Sequence, residues 1–290
     1  MKAFDYFAPQ KLGEATSLLR RHGKKASCLA GGTDLLLRME RRAVSPSVLV
    51  DLKKVRELRG IKSTSKGLII GALTPMEEIV SSRLVQRRYR IVGEAASLVG
   101  SLQTQNRATV GGNLCNASPA ADTAPPLIAH SAKARIAGSG KQRVVPLEEF
   151  FVGPGKTCMK PNELLKELII PLPPARSGGS FQRCTRTAMD IAVVNCSVYL
   201  TLDSKGGTVK DVRIALGAVA PTPVRARPAE DFLKGKNPDQ ETIRETANSA
   251  AEFSKPIDDV RSSAHYRGEM VRVLTRRALQ EAVKRARGEG

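Results

Sequence analysis

Tryptophan is absent from this chain of 290 residues, and aromatic residues make up only 4% of it. A protein that stacks nucleobases needs aromatic platforms, and these are poorly supplied here. Acidic residues are also scarce: 28 Asp and Glu stand against 47 Lys and Arg, a formal charge of +19. The basic residues are spread along the chain, so the excess points to an acidic protein partner rather than to nucleic acid. No apolar run reaches the roughly 20 residues of a membrane span. Met1 to Phe7 lacks the basic-then-apolar order of a signal peptide, so the expectation is a cytoplasmic protein. The five cysteines (Cys28, Cys115, Cys158, Cys184, Cys196) form no C-x-x-C pair, and their odd number argues against a disulfide framework. The three histidines are scattered. No metal site is expected.

What is present is a folded α/β chain, with 41% hydrophobic residues. Apolar spacing predicts a helix from Lys11 to Gly23, with Leu12, Ala15, Leu18 and Leu19 on one face. Ser27 to Ala30 reads as a strand, Gly31-Gly32 as a turn, and Thr33-Asp34 as the opening of a helix through Leu35-Leu36-Leu37. Val48 to Leu52 and Leu68 to Ala72 read as strands. Thr74-Pro75-Met76-Glu77 carries a helix start, with a Thr cap, Pro at the first helical position and Glu three residues on. A helix from about Arg88 to Leu98 follows, then a second double-glycine turn at Gly111-Gly112 and a polar, proline-rich loop to Pro126. Ala132–Ala137 and Gln142–Pro146 form a hairpin around Gly138-Ser139-Gly140, and Glu167–Pro171 is a further strand.

The Pro, Gly and Ser of 173–179 mark a boundary. Beyond it, strands are expected at 180–187, 191–202 and 209–219, the last two joined across Lys205-Gly206-Gly207. Helices follow at 228–233, 239–251 and 264–287. Strands followed by helices make an α+β module.

Two glycine turns after strands suit a dinucleotide pyrophosphate, because glycine permits close backbone approach and positive φ. A tight turn has the same signature. The pattern is neither G-x-G-x-x-G nor a P-loop. Spacing alone therefore stops at two turns capable of binding phosphate.

The longer strings go further. Leu29-Ala30-Gly31-Gly32-Thr33-Asp34-Leu35, and the run Thr109-Val110-Gly111-Gly112-Asn113 continued through Cys115 and Asp122 to Pro126, resemble the two FAD motifs of the molybdenum hydroxylase flavoproteins. These are the medium subunits of enzymes of the carbon monoxide, nicotinate and xanthine dehydrogenase types. Phe4-Asp5-Tyr6, the run from Val219 to Ala226, Tyr266-Arg267 and Leu274 to Leu279 extend the similarity along essentially the whole chain.

The resemblance implies an α+β protein. It has the bipartite FAD-binding fold of the vanillyl-alcohol-oxidase (PCMH) type, with subdomains at 1–57 and 58–175. A C-terminal α+β domain of the CO dehydrogenase flavoprotein type spans 176–290. It implies that Cys28, Leu29, Ala30, Gly31, Gly32, Thr33, Asp34 and Leu35 lie along the pyrophosphate. Thr109, Val110, Gly111, Gly112 and Asn113 would approach the flavin from the other side. Asp122 would bind the adenosine ribose, and Val99 and Leu165 would make apolar contacts with the cofactor. Many relatives carry a Lys shortly after the aromatic that opens the last domain. Here Phe181 is followed by Gln182 and Arg183, which are expected at the cofactor, with Arg183 in place of the lysine but with a planar fork that is not equivalent. The cysteine-bearing insertion of benzoyl-CoA-reductase-type relatives is missing, so no iron–sulfur cluster is expected on this chain.

The implied function is electron transfer. Electrons from the [2Fe–2S] clusters of a small subunit, delivered there by a molybdopterin-binding large subunit, would pass through FAD to NAD or another acceptor. No side chain here would act as nucleophile or base. A stand-alone flavin oxidoreductase of the same fold, and a basic nucleic-acid-binding protein, are the alternatives. Bound flavin separates the second from the rest, and substrate oxidation by the lone chain would favour the first.

Overall fold

The computed structural model describes residues 1–205 and 207–289. Its first unit runs β1 (Asp5–Phe7), α1 (Leu12–His22), β2 (Ala26–Leu29), α2 (Leu35–Glu40) and β3 (Val48–Asp51). The three strands form a parallel sheet in the order β1-β3-β2. Helix α1 buries Leu12, Ala15 and Leu19, as the apolar spacing predicts, and ends at Gly23 with φ 52°.

The second unit opens with β4 (Ile61–Thr64) and β5 (Gly67–Gly71). A helical stretch follows: α3 (Met76–Ser81), α4 (Arg83–Arg88), α5 (Arg90–Ala96), α6 (Leu102–Gln105), α7 (Val110–Asn116) and α8 (Ala124–Ala129). It closes with β6 (Lys133–Ala137), β7 (Gln142–Pro146), the small pair β8 (Phe151–Gly153) and β9 (Lys156–Thr157), and β10 (Leu164–Pro171). Here β4-β5-β10-β6-β7 form an antiparallel sheet.

The third unit contains β11 (Ser177–Cys184), β12 (Val194–Leu202), β13 (Val209–Gly217) and β14 (Val224–Arg225), an antiparallel sheet in that order. Helices α9 (Arg227–Leu233), α10 (Gln240–Phe253) and α11 (Ala264–Arg287) follow. The turn expected at Lys205-Gly206-Gly207 includes Gly206, which lies outside the described residues.

Local departures from expectation have identifiable causes. The helix expected from about Arg88 to Leu98 is α5, slightly shorter at both ends. The unexpected α4 precedes it, separated by Tyr89, whose φ of −133° is not helical and whose side chain is buried. Thr74 does not cap α3, because its buried hydroxyl bonds the backbone N–H and carbonyl of Gly60 and Pro75 takes the cap position. The second glycine turn is the first turn of α7, capped by Thr109. The loop expected up to Pro126 includes most of α7 and the start of α8.

Strand β12 holds the molecule's two larger cores together. All nine of its residues are buried. Residues on alternate positions of a strand face opposite sides. Val194, Cys196, Val198, Leu200 and Leu202 pack among residues of α9, α10 and α11, including Leu233, Leu274 and Leu279. On the other face Tyr199 joins the core built on Leu127, Ile128 and Tyr89, beside buried Asn195 and Ser197. Arg267, 2% exposed, staples the end of this sheet by donating to the carbonyls of Val193 and Ala218 and to Asp259.

At the seam, His130 lies between Tyr199 and Tyr89, with ring centroids 4.3 and 5.6 Å away. Burial pushes its pKa down to about 3, and the nearby Arg213 charge acts in the same direction. The folded state therefore refuses a proton that the unfolded chain takes up near pH 6.5. Stability should be intact above that value and fall as pH drops from about 6.5 towards 3, by about 1.4 kcal/mol per pH unit from this residue alone. Urea unfolding as a function of pH, compared with His130→Gln, measures that slope; the variant should lack it.

Close packing of α11 on β11 makes a second prediction. A Cβ on Gly178 would stand 2.2 Å from the Ala282 carbonyl oxygen, whereas Gly268, within α11, has open space. Gly178→Ala should destabilise by about 1–3 kcal/mol through overpacking, and Gly268→Ala should stabilise by up to about 1 kcal/mol through helix propensity. Equal urea midpoints for the two variants would contradict this packing.

Candidate functional site

The chain between β2 and α2 turns sharply at Gly32, which has φ +82°. Its neighbour Gly31 has a different task. A Cβ there would stand 2.0 Å from the Arg107 carbonyl oxygen, so this glycine lets the turn press against the backbone that leads into α7. Among the described residues, the backbone N–H groups of Gly31, Gly32, Thr33 and Asp34 donate to no protein acceptor. Four successive free donors around a left-handed glycine form a nest suited to an anion. Helix α2 is only six residues long, so these amides rather than a helix dipole supply the attraction.

The second motif is built oppositely. The N–H of Val110 donates to Thr74 O, that of Gly111 to Ala72 O, and that of Asn113 to Thr109 O. The Gly112 N–H donates to Thr109 Oγ1 at 3.1 Å. No backbone N–H is left over between Val110 and Asn113, so this stretch offers no second nest of free backbone donors. Its glycines serve approach. Gly111 packs on Ala72, where a Cβ would lie 2.6 Å from the Ala72 Cβ, and Gly112 faces Ala30, 3.8 Å from where its own Cβ would be. The two motifs form facing walls, one rich in donors and one bare. Asn116 Nδ2, donating to Asp34 Oδ1 at 3.2 Å, ties them together.

Asp122 lies beyond the bare wall. Thr123 donates to Asn113 Oδ1 at 2.6 Å and holds this loop to α7. The Asp122 carboxylate, 9% exposed, meets Arg183 Nη1 at 2.6 Å and Asn195 Nδ2 at 3.1 Å. Arg183 also donates to the carbonyls of Leu98 and Ala188. Burial pushes the Asp122 carboxyl up from its ordinary value, against the pull of Arg183 and Asn195. Each Asp122 oxygen accepts one bond from the protein, which leaves further lone-pair sites.

The remaining expected residues separate. Val99 is half-buried against the second unit's core, next to the Leu98 carbonyl that Arg183 grips, and Leu165 is buried in that core on β10. Gln182, adjacent to Arg183 on β11, points to the other face of the strand, where its amide bonds Ser180. It does not join the Asp122 cluster. Leu29 and Leu35 pack with Met39 and Leu49 in a small core beneath the turn. Burial pushes the thiols of Cys28 and Cys115 up to about 12, which keeps both protonated and poor nucleophiles. Asn195 was not among the expected residues. The available signal was a lone amide inside the apolar run Val193-Val194-Asn195-Cys196. No group of three or more His, Cys, Asp or Glu side chains among the described residues is arranged to hold a metal ion, and no helix among them is long and apolar enough to cross a membrane.

Comparison with known proteins gives the class of a chain with this geometry, a donor nest facing a glycine wall with a buried carboxylate beyond it. Residues 2–173 match the FAD binding domain in molybdopterin dehydrogenase, and residues 179–282 match the CO dehydrogenase flavoprotein C-terminal domain. The chain belongs to this family of FAD-binding subunits of molybdenum hydroxylases, and its cofactor is FAD. It is 35% identical to the carbon monoxide dehydrogenase medium chain of Hydrogenophaga pseudoflava over 96% of both chains. It is 32% identical to the xanthine dehydrogenase FAD-binding subunit of Escherichia coli, over 98% of this chain and 97% of that one. Solved structures of carbon monoxide dehydrogenase from Hydrogenophaga pseudoflava (TM-score 0.95, 37% identity, 98% of each chain) and of quinoline 2-oxidoreductase from Pseudomonas putida (TM-score 0.92, 32% identity, 99% of each chain) share its fold.

The buried ion pair generates a stability prediction. Arg183→Met strands a buried carboxylate and should cost about 3–5 kcal/mol, whereas Arg183→Met combined with Asp122→Asn should recover most of that loss. Urea unfolding of the flavin-free chain measures both. A single variant as stable as the parent would mean that the pair is not closed in solution.

Proposed function

We propose that this chain is the electron-transfer subunit of a cytoplasmic molybdenum hydroxylase, receiving electrons from the [2Fe–2S] clusters of a small subunit and delivering them to NAD or another acceptor. In this reading a molybdopterin-binding large subunit oxidises the substrate. The domains are 1–57 and 58–175 for the cofactor and 176–290 behind it. The observation that carries the reading is the run of free backbone N–H groups from Gly31 to Asp34, facing a stretch, Val110 to Asn113, whose backbone N–H groups are all engaged. Residues Cys28 to Leu35 would hold the pyrophosphate, with the amides of 31–34 as donors. Thr109 to Asn113, bare at Gly112, would let the flavin end approach the backbone. Asp122 would accept hydrogen bonds from the ribose hydroxyls, with Arg183 and Asn195 fixing its carboxylate. Val99 and Leu165 would give apolar contact nearby. Gln182 would act only through the strand that it shares with Arg183.

Bound there, FAD exchanges electrons singly with one carrier and in pairs with another. The protein's own part is binding and exclusion of water. Neither a His nor a Cys stands at a recognised flavin-attachment position in the motifs, so attachment should be non-covalent, and acid precipitation should leave the yellow chromophore in the supernatant.

Gly32→Val forces a branched residue to φ +82° against Leu29 and Leu36, and Gly112→Val fills the gap facing Ala30. Both variants should be purified without flavin absorbance. Asp122→Ala should weaken FAD binding by about 1.5–3 kcal/mol, the range for a hydrogen bond to a charged group. Full flavin content in all three would relocate the site. In stopped-flow absorbance, the chain alone should be reduced by a strong chemical donor and not by the substrate of the complex. Adding the two partner subunits should restore bleaching driven by that substrate, more slowly as salt screens the +19 chain. Bleaching by substrate in the isolated chain would instead identify a stand-alone oxidoreductase.

A further inference from the structure

Away from both FAD motifs, and sharing no lining residue with them, a cleft of about 610 Å³ opens between α4–α5, the connection from β10 to β11, and the end of α11. Its size is that of a small-molecule site. Arg87, Arg88 and Arg176 stand around it, and none has an acidic partner among the described residues. The other two arginines of the cleft, Arg90 and Arg285, are both committed to Glu94, at 3.0 and 2.9 Å. Three guanidiniums are thus left without a carboxylate around one concavity. Arg176 is also held at φ 53°, a conformation that non-glycine residues rarely adopt. Its carbonyl is fixed by the Leu202 N–H.

The second observation is independent of charge. His130, 5% exposed, also lines the cleft, and its Nε2 is a buried polar atom with no hydrogen-bond partner. An orphaned buried nitrogen costs stability unless something satisfies it. Tyr89 and Tyr199 pack against the ring, with centroids 5.6 and 4.3 Å away. Burial keeps the imidazole neutral, so Nε2 can serve as a hydrogen-bond donor without a second charge having to be buried. Leu172 and Pro174 add an apolar stretch to the same wall.

We propose that this cleft is a second ligand site, which takes a small organic phosphate. Arg87, Arg88 and Arg176 would bind the phosphate group, His130 Nε2 would supply the buried donor, and the Leu172–Pro174 segment would pack against the organic part. Planar, forked guanidiniums suit phosphate oxygens. The proposal does not rest on the flavin reading.

The test is calorimetric titration of the FAD-saturated chain with pyrophosphate and with ADP, while the flavin absorbance is followed to exclude displacement of the cofactor. One site is expected for each ligand, with ADP bound several-fold more tightly than pyrophosphate. The double variant Arg87→Ser, Arg88→Ser should lose at least tenfold in affinity with flavin content unchanged. A double variant with the same charge change elsewhere, Lys24→Ser, Lys25→Ser, should bind as the parent does. No binding, or an equal loss in both double variants, would overturn the proposal. ADP bound no better than pyrophosphate would overturn the organic-phosphate assignment. Loss of flavin without loss of ADP binding in Gly32→Val would separate the fate of this site from that of the FAD site.

Discussion

The buried contact of Asp122 with Arg183 and Asn195 is the interaction on which the geometry of the whole molecule turns. Its carboxylate comes from the loop between α7 and α8, and its partners come from β11 and β12. Taking either charge out of water is costly, and the cost is repaid only when the partners are held in good geometry. That geometry is supplied from both sides: Thr123 is anchored to Asn113, and Arg183 to the Leu98 and Ala188 carbonyls. The two halves of the chain are thereby held in one relative position beside the cofactor motifs.

The double-face burial of β12 explains how a strand can do this. Its even-numbered residues satisfy the apolar core under α11, which leaves the odd-numbered face free to carry Asn195 and Ser197. Asn195 in turn dictates Gly217 on the next strand, where a Cβ would collide with the Asn195 Oδ1 at 2.1 Å. A polar contact between units is thus written into three consecutive strands.

Much of this architecture was legible in the sequence. The amphipathic spacing of Leu12, Ala15 and Leu19, the hairpin around Gly138 to Gly140 and the long closing helix all depend on local periodicity, and periodicity survives folding. Boundaries decided by tertiary contact were not legible. Tyr89, its ring buried in the core, ends α4 just before α5 begins, and Thr74 abandons its cap for Gly60. The two glycine motifs looked alike in sequence, and only the destinations of their amides, free at Gly31 to Asp34 and spent at Val110 to Asn113, tell donor wall from bare wall. Gln182 and Arg183, adjacent in sequence, part company because a strand alternates. The engagement of Asp122 with Arg183 could not be read from the chain either, since 61 residues separate them.

That separation has a consequence for the order in which the protein is made. A ribosome that has delivered both glycine motifs has not yet delivered Arg183 or Asn195. At that point Asp122 is present without either of its eventual partners. Without β11 and β12 the Asp122 carboxylate has no protein partner to replace water. A chain that ended before residue 195 would carry both glycine motifs without the complete contact that fixes the Asp122 carboxylate beside them.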